Sequence, residues 1–344
     1  MATEPQNLPA FPRDLPLADI AVISYKKILD HNQAEELRAL DAVKRDGFFY
    51  LSLIDSAEGQ ELIAESNRLL KLSEQAFSSP EEEKMEYRAD RGRSIFGYKP
   101  AGTVKATDKD QRPDTTEFFN ISKDHLFGNG KVIKYLPRLE ESSDLLRSFA
   151  KHCHDGGRVI LRSLARSQGV PENSYADKNP FDSLSGDHIR LTKKPPHSHS
   201  ISASNMIGLP SHTDFGSVTV LFNWLGGLQI QSHDPARKGE WNYVKPSLGH
   251  AIINLGDAMV KFSNGTLKSA KHRVVPSPGE QGSVDRYSVV YFVRPADHVI
   301  MEPIEELKSS EVIQVGGKVG EPERMYTAGE WNLRRIQQLA SATS

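Results

Sequence analysis

The chain has 344 residues, of which 26% are charged, and its formal net charge at pH 7 is −2. A chain of this length can bury a sizeable core, and its near-neutral charge argues against a general polyanion-binding surface, so we expect no nucleic-acid partner. Cys153 is the only cysteine, which excludes an intramolecular disulfide and a zinc site built from cysteines, and favours a reducing compartment.

Neither a secretion signal nor a membrane segment is predicted. The N-terminal stretch MATEPQNLPAFPRDLP has no basic region followed by an apolar one. No window forms the uninterrupted apolar span of about 18 residues that a membrane helix needs. We therefore expect a cytoplasmic protein.

The first part of the chain predicts helices and short strands. Residues 20–23 form the first expected strand, and the apolar positions within residues 31–44 recur at a spacing of three, which is typical of a helix with one buried face. Asp46 and Gly47 then predict a turn into a strand that begins at Phe48.

Two further helices are predicted before residue 180. Ser79 is a suitable N-cap because Pro80 and three glutamates follow it. Residues 139–164 predict a long helix, and the pair Gly156 and Gly157 predicts a bend within it.

The second half of the chain is rich in short strands at close spacing, which predicts an antiparallel double-sheet jelly roll, also called a double-stranded β-helix. The expected strands are residues 188–192, 205–209, 217–222, 226–231, 241–244, 251–255, 272–275 and 287–293. Residues 326–340 have helical spacing and predict a C-terminal helix. We expect one compact unit with three parts, namely an N-terminal helix and strand region (1–180), the jelly-roll core (181–300) and a C-terminal helical extension (301–344).

A metal-binding pattern lies in the strand-rich half. In an extended segment residues i and i+2 point to the same face, so His212 and Asp214 direct an imidazole and a carboxylate into one space while Thr213 faces away. His272 offers a second imidazole. Two histidines and one carboxylate on one side of a metal form the facial triad that leaves positions open on iron(II). His-x-Asp alone is common, and a surface histidine beside an unrelated aspartate is the alternative.

A cation is predicted inside the strand that follows His272. Tyr287 to Val293 form a β-branched and aromatic run, typical of a buried strand, and Arg286 and Ser288 share one face at its start. A buried arginine needs an anionic partner. A guanidinium beside a hydroxyl suits a carboxylate, which arginine binds through two parallel hydrogen bonds. The alternative is an arginine that extends to solvent from an edge strand.

These residues together resemble a known family. The triad and the Arg-x-Ser pair occur in order with GGLQI at 226–230, NLGD at 254–257, SNG at 263–265 and SAKHRVV at 269–275. The set is similar to the iron(II)/2-oxoglutarate-dependent dioxygenases. The branch it resembles most is the one of isopenicillin N synthase, which also contains many plant and fungal natural-product oxygenases.

The resemblance implies that His212, Asp214 and His272 bind iron(II), with 2-oxoglutarate and O2 as co-substrates. The distal carboxylate of 2-oxoglutarate is then expected to bind Arg286 and Ser288. The implied reaction oxidises a C–H bond of a small organic molecule in secondary-metabolite biosynthesis, and it is coupled to decarboxylation of 2-oxoglutarate to succinate. Hydroxylation is the default, while desaturation, ring formation and ring expansion are reached by the same chemistry.

Two other functions stay open at this point. The first is an oxidase like isopenicillin N synthase, in which the Arg-x-Ser pair binds the carboxylate of the substrate itself and no oxoacid is used. The second is a non-catalytic barrel that binds a small ligand or a partner protein, although no obligate protein partner is evident in the sequence.

The chain departs from the family at one co-substrate position. The strand that starts at His188 usually ends in a tyrosine just before a proline, and the tyrosine hydroxyl helps to hold the co-substrate. Lys194 stands there instead. Lys194 is therefore predicted as a third co-substrate residue, since a cation can replace a hydroxyl donor.

Five residues are predicted to line the substrate pocket. Tyr98 stands where the family frames the mouth of the barrel, although a core aromatic is the alternative. The other four, which flank the metal strands, are Asn205, Ile207, Phe215 and Phe262. These side chains are apolar or neutral and suit a hydrophobic or aromatic small molecule whose identity the sequence does not specify.

Overall fold

Two β-sheets form the centre of the protein, whose computed structural model describes residues 8–90, 92–103, 113–196, 208–232, 237, 239–308 and 325–341. The strands are β1 (Val22–Ser24), β2 (Phe48–Ser52), β3 (Gly97–Lys99), β4 (Glu117–Ser122), β5 (His188–Lys194), β6 (Leu209–His212), β7 (Val218–Asn223), β8 (Leu228–Gln231), β9 (Trp241–Tyr243), β10 (His250–Leu255), β11 (His272–Val274) and β12 (Arg286–Val293).

Among the described residues, eight strands form a major sheet in the order β1-β2-β10-β7-β12-β5-β4-β3, and four form a minor sheet in the order β6-β11-β8-β9. Neighbouring strands are antiparallel except β1 and β2. The two sheets enclose a cavity, so the predicted jelly-roll fold is confirmed. Strands β1 to β4 extend both edges of the major sheet, and the N-terminal region is therefore built into that sheet.

Helices cover the major sheet and the ends of the strands. They are α1 (Tyr25–Leu29), α2 (Gln33–Arg45), α3 (Ala57–Phe77), α4 (Glu81–Met85), α5 (Lys123–Leu126), α6 (Pro137–Glu141), α7 (Ser143–Gln168), α8 (Asp257–Phe262) and α9 (Ala328–Ser341). The two longest, α3 and α7, pack against β5 and β12. Of the helices described, none is long and apolar enough to cross a lipid bilayer.

Local sequence determines where the longer helices begin and end. Asn32 accepts a hydrogen bond from the backbone N–H of Glu35 at 3.0 Å, and Ser56 accepts one from Gly59 at 3.0 Å, so both are N-caps. Helix α7 ends at Gln168, and its C-cap is Gly169, whose φ of +73° is a left-handed conformation that glycine adopts without strain.

The predicted N-cap at Ser79 is wrong. Pro80 occupies the N-cap position of α4 with an extended backbone, and the helix begins at Glu81. Proline fixes φ but leaves ψ free, so it is compatible with the position before a helix as well as with the first helical position. The Ser79 hydroxyl is buried and has no hydrogen-bond partner among the described residues.

Helix α7 is continuous through Gly156 and Gly157, the pair at which a bend is predicted. A Cβ atom on Gly157 would lie 2.8 Å from Cγ2 of Val293, and one on Gly156 would lie 3.3 Å from the hydroxyl of Tyr25. The glycine pair therefore allows α7 to pack closely against β12 and α1.

Polar and apolar residues alternate along β5 from His188 to Thr192, which explains how polar groups reach the space between the sheets. Arg190 and Thr192 line the cavity, whereas Ile189 and Leu191 are fully buried in the hydrophobic core. This is the period of two that a strand imposes on its side chains.

The C-terminal helix α9 is joined to the segment that follows β6. Arg335 donates to the carboxylate of Asp257 at 2.6 Å, and the same carboxylate accepts a hydrogen bond from the hydroxyl of Thr213 at 3.0 Å. Thr213 therefore points away from its two predicted metal-binding neighbours and connects them to α8 and α9.

Candidate active site

The three predicted metal ligands lie together between the two sheets. His212 ends β6, His272 begins β11, and the two are paired across these antiparallel strands. Asp214 follows His212 by two residues, and its Oδ1 lies 3.8 Å from Nε2 of each histidine. The three ligand atoms all lie within 4.8 Å of one another, close enough for one metal ion to bind all three.

Backbone carbonyls orient both imidazoles. The Nδ1 atom of His212 lies 2.9 Å from the carbonyl oxygen of Pro210, and Nδ1 of His272 lies 3.1 Å from that of Ala270. A carbonyl can only accept, so each Nδ1 carries the proton and donates it. Each Nε2 is then the lone-pair nitrogen that is available to a metal, as metal-binding histidines require.

The two oxygens of the Asp214 carboxylate have different partners. Its Oδ2 accepts hydrogen bonds from the Thr219 hydroxyl at 2.6 Å and from the Asn254 side-chain amide at 2.7 Å. Its Oδ1 faces the two Nε2 atoms. The hydrogen bonds thus fix the carboxylate so that one oxygen remains for the metal.

The protonation states of the triad suit a divalent cation. Burial and then the neighbouring His272 lower the pKa of His212 to about 4, so its imidazole is neutral at neutral pH. Burial disfavours the charged form of Asp214, but the two histidines and the hydrogen bonds to Oδ2 outweigh burial and hold its pKa at about 2. Neutral imidazole and ionised carboxylate are the forms that bind metals, so the residues present fit iron(II).

Arg286 lies at the start of β12 with its side chain buried between the sheets. Its Nε donates to the carbonyl oxygen of Gly226 at 2.7 Å. Gly227 has a φ of +109°, and a Cβ there would lie 2.7 Å from the carbonyl oxygen of Val275 and 3.5 Å from Nε of Arg286, so only glycine fits this close approach. Among the described residues, no carboxylate pairs with the terminal nitrogens of Arg286.

Two hydroxyl groups lie next to this guanidinium in the cavity wall. Ser288 is the register partner of Thr192 across β12 and β5, and their hydroxyl oxygens lie 2.5 Å apart. One of the two donates to the other, so the pair can offer one further O–H to a ligand beside Arg286.

Lys194 is the register partner of Arg286, but its side chain is not in the cavity wall. It is buried below Gly208, where an added Cβ would lie 3.1 Å from Cδ of Lys194. Burial, and in second place the charge of Arg286, lower the pKa of Lys194 to about 8.

A cavity opens next to the triad, and the side chains of the triad form part of its wall. Much of its wall is apolar. The aliphatic and aromatic side chains in it include Phe48, Leu221, Leu228, Val274 and Val290.

Two of the predicted pocket residues lie elsewhere in the fold. Tyr98 is buried, donates to the carboxylate of Glu117 at 2.6 Å, and is paired with Phe119 across β3 and β4. Because neighbouring residues of a strand point to opposite faces, Phe118 lines the cavity while Phe119 and Tyr98 point away from it. Phe262 ends α8 and is fully buried, outside the cavity wall.

The remaining pocket predictions have different outcomes. Phe215 is half-buried beside α9, where its ring centroid lies 6.4 Å from that of Trp331, and the cavity wall does not include it. Asn205 and Ile207 lie outside the described residues.

The cavity contains a cation that was not among the site residues predicted from sequence. Arg190 of β5 lies between two phenylalanines, with its Cζ 4.3 Å from the ring centroid of Phe118 and 4.9 Å from that of Phe292. Its Nε donates to Oδ1 of Asn120 at 2.7 Å. Strand periodicity could have indicated Arg190 as a site residue, because it places Arg190 on the same face of β5 as Thr192.

Two imidazoles and a carboxylate leave positions open on iron(II) for oxygen and a co-substrate. The triad and the jelly roll therefore define a non-haem iron(II) oxygenase. When bound, iron(II) and 2-oxoglutarate supply the activation of O2 that oxidises a C–H bond, while the protein holds the reactants and excludes others. His212, Asp214 and His272 would hold the iron.

Comparison with known proteins agrees with this class. Residues 186–295 match the 2OG-Fe(II) oxygenase superfamily, and residues 15–136 match the family described as non-haem dioxygenase in morphine synthesis N-terminal. The 2-oxoglutarate-dependent dioxygenase gloE of Glarea lozoyensis is 30% identical over 287 residues, which are 83% of this chain and 82% of the relative. The chain belongs to the 2OG-Fe(II) oxygenase superfamily, and it is a 2-oxoglutarate-dependent dioxygenase that uses iron(II), as its motifs predicted.

Two further similarities concern one part of the chain and the whole fold. The proline hydroxylase buaE of Petromyces alliaceus is 30% identical over 197 residues, which are 56% of this chain and 58% of the relative. The structure of a full-length Neurospora crassa protein in complex with alpha-KG and thymine has a TM-score of 0.75 at 23% identity, and the similarity covers 95% of this chain and 98% of that one.

Proposed function

We propose that this dioxygenase oxidises a C–H bond of a small and largely apolar organic molecule in the biosynthesis of a secondary metabolite. The observation that carries the proposal is the cavity beside the triad, whose wall is largely apolar, as in sites that bind small organic molecules. Hydroxylation is the expected outcome, in keeping with a relative named as a proline hydroxylase. Desaturation, ring formation and ring expansion are the other outcomes that this chemistry allows.

We further propose how 2-oxoglutarate is held. The two terminal nitrogens of Arg286 bind its distal carboxylate, and the paired hydroxyls of Ser288 and Thr192 add one hydrogen bond. The support is that Arg286 is buried, is oriented by the carbonyl of Gly226, and has no carboxylate partner among the described residues. Lys194 adds positive charge behind Arg286 without entering the cavity.

We infer a cytoplasmic location, because the single cysteine Cys153 is buried and unpaired, as suits a reducing compartment. The partners we propose are small molecules alone, with neither nucleic acid nor a membrane surface as a target, since the net charge of −2 provides no general attraction to polyanions.

The first test is an anaerobic titration of the iron(II) protein with 2-oxoglutarate, followed through the metal-to-ligand charge-transfer band. We expect a saturable band in the parent protein and a much weaker affinity in Arg286→Gln. The second test measures succinate release in air with a library of small apolar molecules, some of which should stimulate it. Stimulation by peptides or oligonucleotides alone would contradict the proposed substrate class.

A further inference from the structure

The charges that the described residues present to the cavity would not balance once iron(II) and 2-oxoglutarate are bound. Apart from the two histidines, the charged side chains that these residues place in the wall are Arg190, Asp214 and Arg286. Asp214 offsets one of the two positive charges of iron(II), and the dianion 2-oxoglutarate offsets the other together with the charge of Arg286. Lys194 lies behind Arg286 and outside the wall, so among the described residues that face the cavity the charge of Arg190 is left over.

Arg190 is held in place without forming an ion pair to any described residue. Its Nε donates to Asn120 at 2.7 Å, and its guanidinium lies between the rings of Phe118 and Phe292. Within the part of the chain that the structure describes, its terminal nitrogens have neither a hydrogen-bond acceptor nor an ion-pair partner. Aromatic faces stabilise a cation without using its N–H groups, so these groups remain for a ligand.

The co-substrate does not account for this cation. Arg190 precedes Lys194, the register partner of Arg286, by four residues on β5, which is roughly 13 Å along a strand that rises about 3.3 Å per residue. In the proposed mode the distal carboxylate of 2-oxoglutarate binds Arg286, and its keto and other carboxylate groups would be those that bind the iron held by the triad. No charged group of 2-oxoglutarate remains for Arg190.

We propose that Arg190 binds a carboxylate of the substrate, so that the enzyme acts on small apolar monocarboxylic acids. This inference rests on the proposed function, because it places the substrate in the same cavity. One carboxylate offsets one guanidinium, whereas a phosphate group would bring close to two charges. A carboxylate held at Arg190 also fixes the direction in which the apolar part of the substrate extends toward the triad, and this selects the C–H bond that is oxidised.

The test compares ligands that have the same shape and different charge. Phenylacetate and phenylacetamide, and hexanoate and hexanamide, are titrated by calorimetry into the anaerobic protein loaded with iron(II) and 2-oxoglutarate. Each acid should bind at least about tenfold more tightly than its amide. The preference should disappear in Arg190→Gln and persist in the matched control Lys193→Gln, which removes a cation from the outer face of the same strand.

The variants also separate this inference from the proposed function. Binding of 2-oxoglutarate should be the same in Arg190→Gln as in the parent. Failure of 2-oxoglutarate to bind the parent would overturn the proposed function. With 2-oxoglutarate bound, equal affinity for acids and amides, no binding of either acid, or a preference that survives Arg190→Gln would overturn the assignment of Arg190 alone. Should Arg190→Gln not fold, Arg190→Lys is used, and it must weaken acid binding because it loses the planar fork.

Discussion

His212 and His272 are register partners across β6 and β11, and their ring centroids lie 4.3 Å apart. Both rings use Nδ1 for a backbone carbonyl two residues earlier in the chain. The minor sheet itself therefore sets the distance between the two imidazoles, and Asp214 completes the triad just beyond the end of β6. Metal binding in this arrangement depends on strand pairing as much as on the ligands.

Replacing Asp214 by alanine should remove most of the bound iron and all turnover while the protein remains folded, because the triad loses its charged ligand. Iron per chain is measured by elemental analysis, and folding by circular dichroism. The control is Asp144→Ala, which removes a fully exposed carboxylate on α7. A variant at position 214 that keeps parental iron content and activity would remove the triad assignment.

The valine substitution of Thr219 should weaken iron binding by about 10- to 100-fold, because the near-isosteric change removes the 2.6 Å hydrogen bond to Oδ2 of Asp214. The affinity is measured by competition with a chelator. Thr192→Val is the paired control, since it alters the hydroxyl pair beside Arg286 and should affect 2-oxoglutarate but not iron. Unchanged iron affinity in the Thr219 variant would show that this hydrogen bond does not orient the carboxylate.

The residues that the sequence predicted best are those whose chemistry is fixed by a strand. Arg286 and Ser288 lie on one face of β12, as the period of two predicts, and His212 and Asp214 point to one space although Asp214 lies just beyond the end of β6. The partner strand of each residue was not predictable, because register depends on packing over the whole sheet. For this reason neither Asn254 and Thr219 at the carboxylate nor the carbonyl of Gly226 at Arg286 was predicted.

Substituting lysine for Arg286 should lower the affinity for 2-oxoglutarate at least about tenfold, roughly 1.4 kcal/mol, because an ammonium group cannot replace the planar fork. The dissociation constant comes from the charge-transfer titration. Arg273→Lys is a suitable control, since Arg273 packs on Trp241 outside the cavity wall. Equal affinity in the parent and the Arg286 variant would exclude Arg286 as the distal-carboxylate ligand.

The affinity for 2-oxoglutarate should depend on pH through Lys194, whose pKa burial and Arg286 lower to about 8. Below that pH the ammonium is charged and favours the dianion. As the pH rises through that value the charge is lost and the affinity should fall. Arg286, with a pKa of about 10 after burial, stays charged over this range. A titration series at several pH values should show the decline in the parent and a flat profile in Lys194→Met, and identical profiles would contradict a role for Lys194.

The pocket residues were predicted less well than the metal ligands. Tyr98 and Phe262 are aromatic and near the metal strands in sequence, but Tyr98 faces away from the cavity and Phe262 is enclosed by the core. Aromatic side chains bury large apolar areas in protein cores as well as in binding sites, so the presence of an aromatic residue alone does not distinguish a pocket from a core. Arg190 would have been the better indicator, since a cation on a buried strand needs a ligand.

The stoichiometry of the reaction distinguishes a 2-oxoglutarate-dependent oxygenase from an oxidase that uses no oxoacid. With a substrate found by the library screen, oxygen consumption should require added 2-oxoglutarate, and succinate should form in a one-to-one ratio to the oxidised product. The measurement follows oxygen, succinate and product in the same sample. Full turnover in buffer free of oxoacids would contradict the assignment as a 2-oxoglutarate-dependent dioxygenase, because the substrate itself would then occupy the open positions of the metal, as in an oxidase.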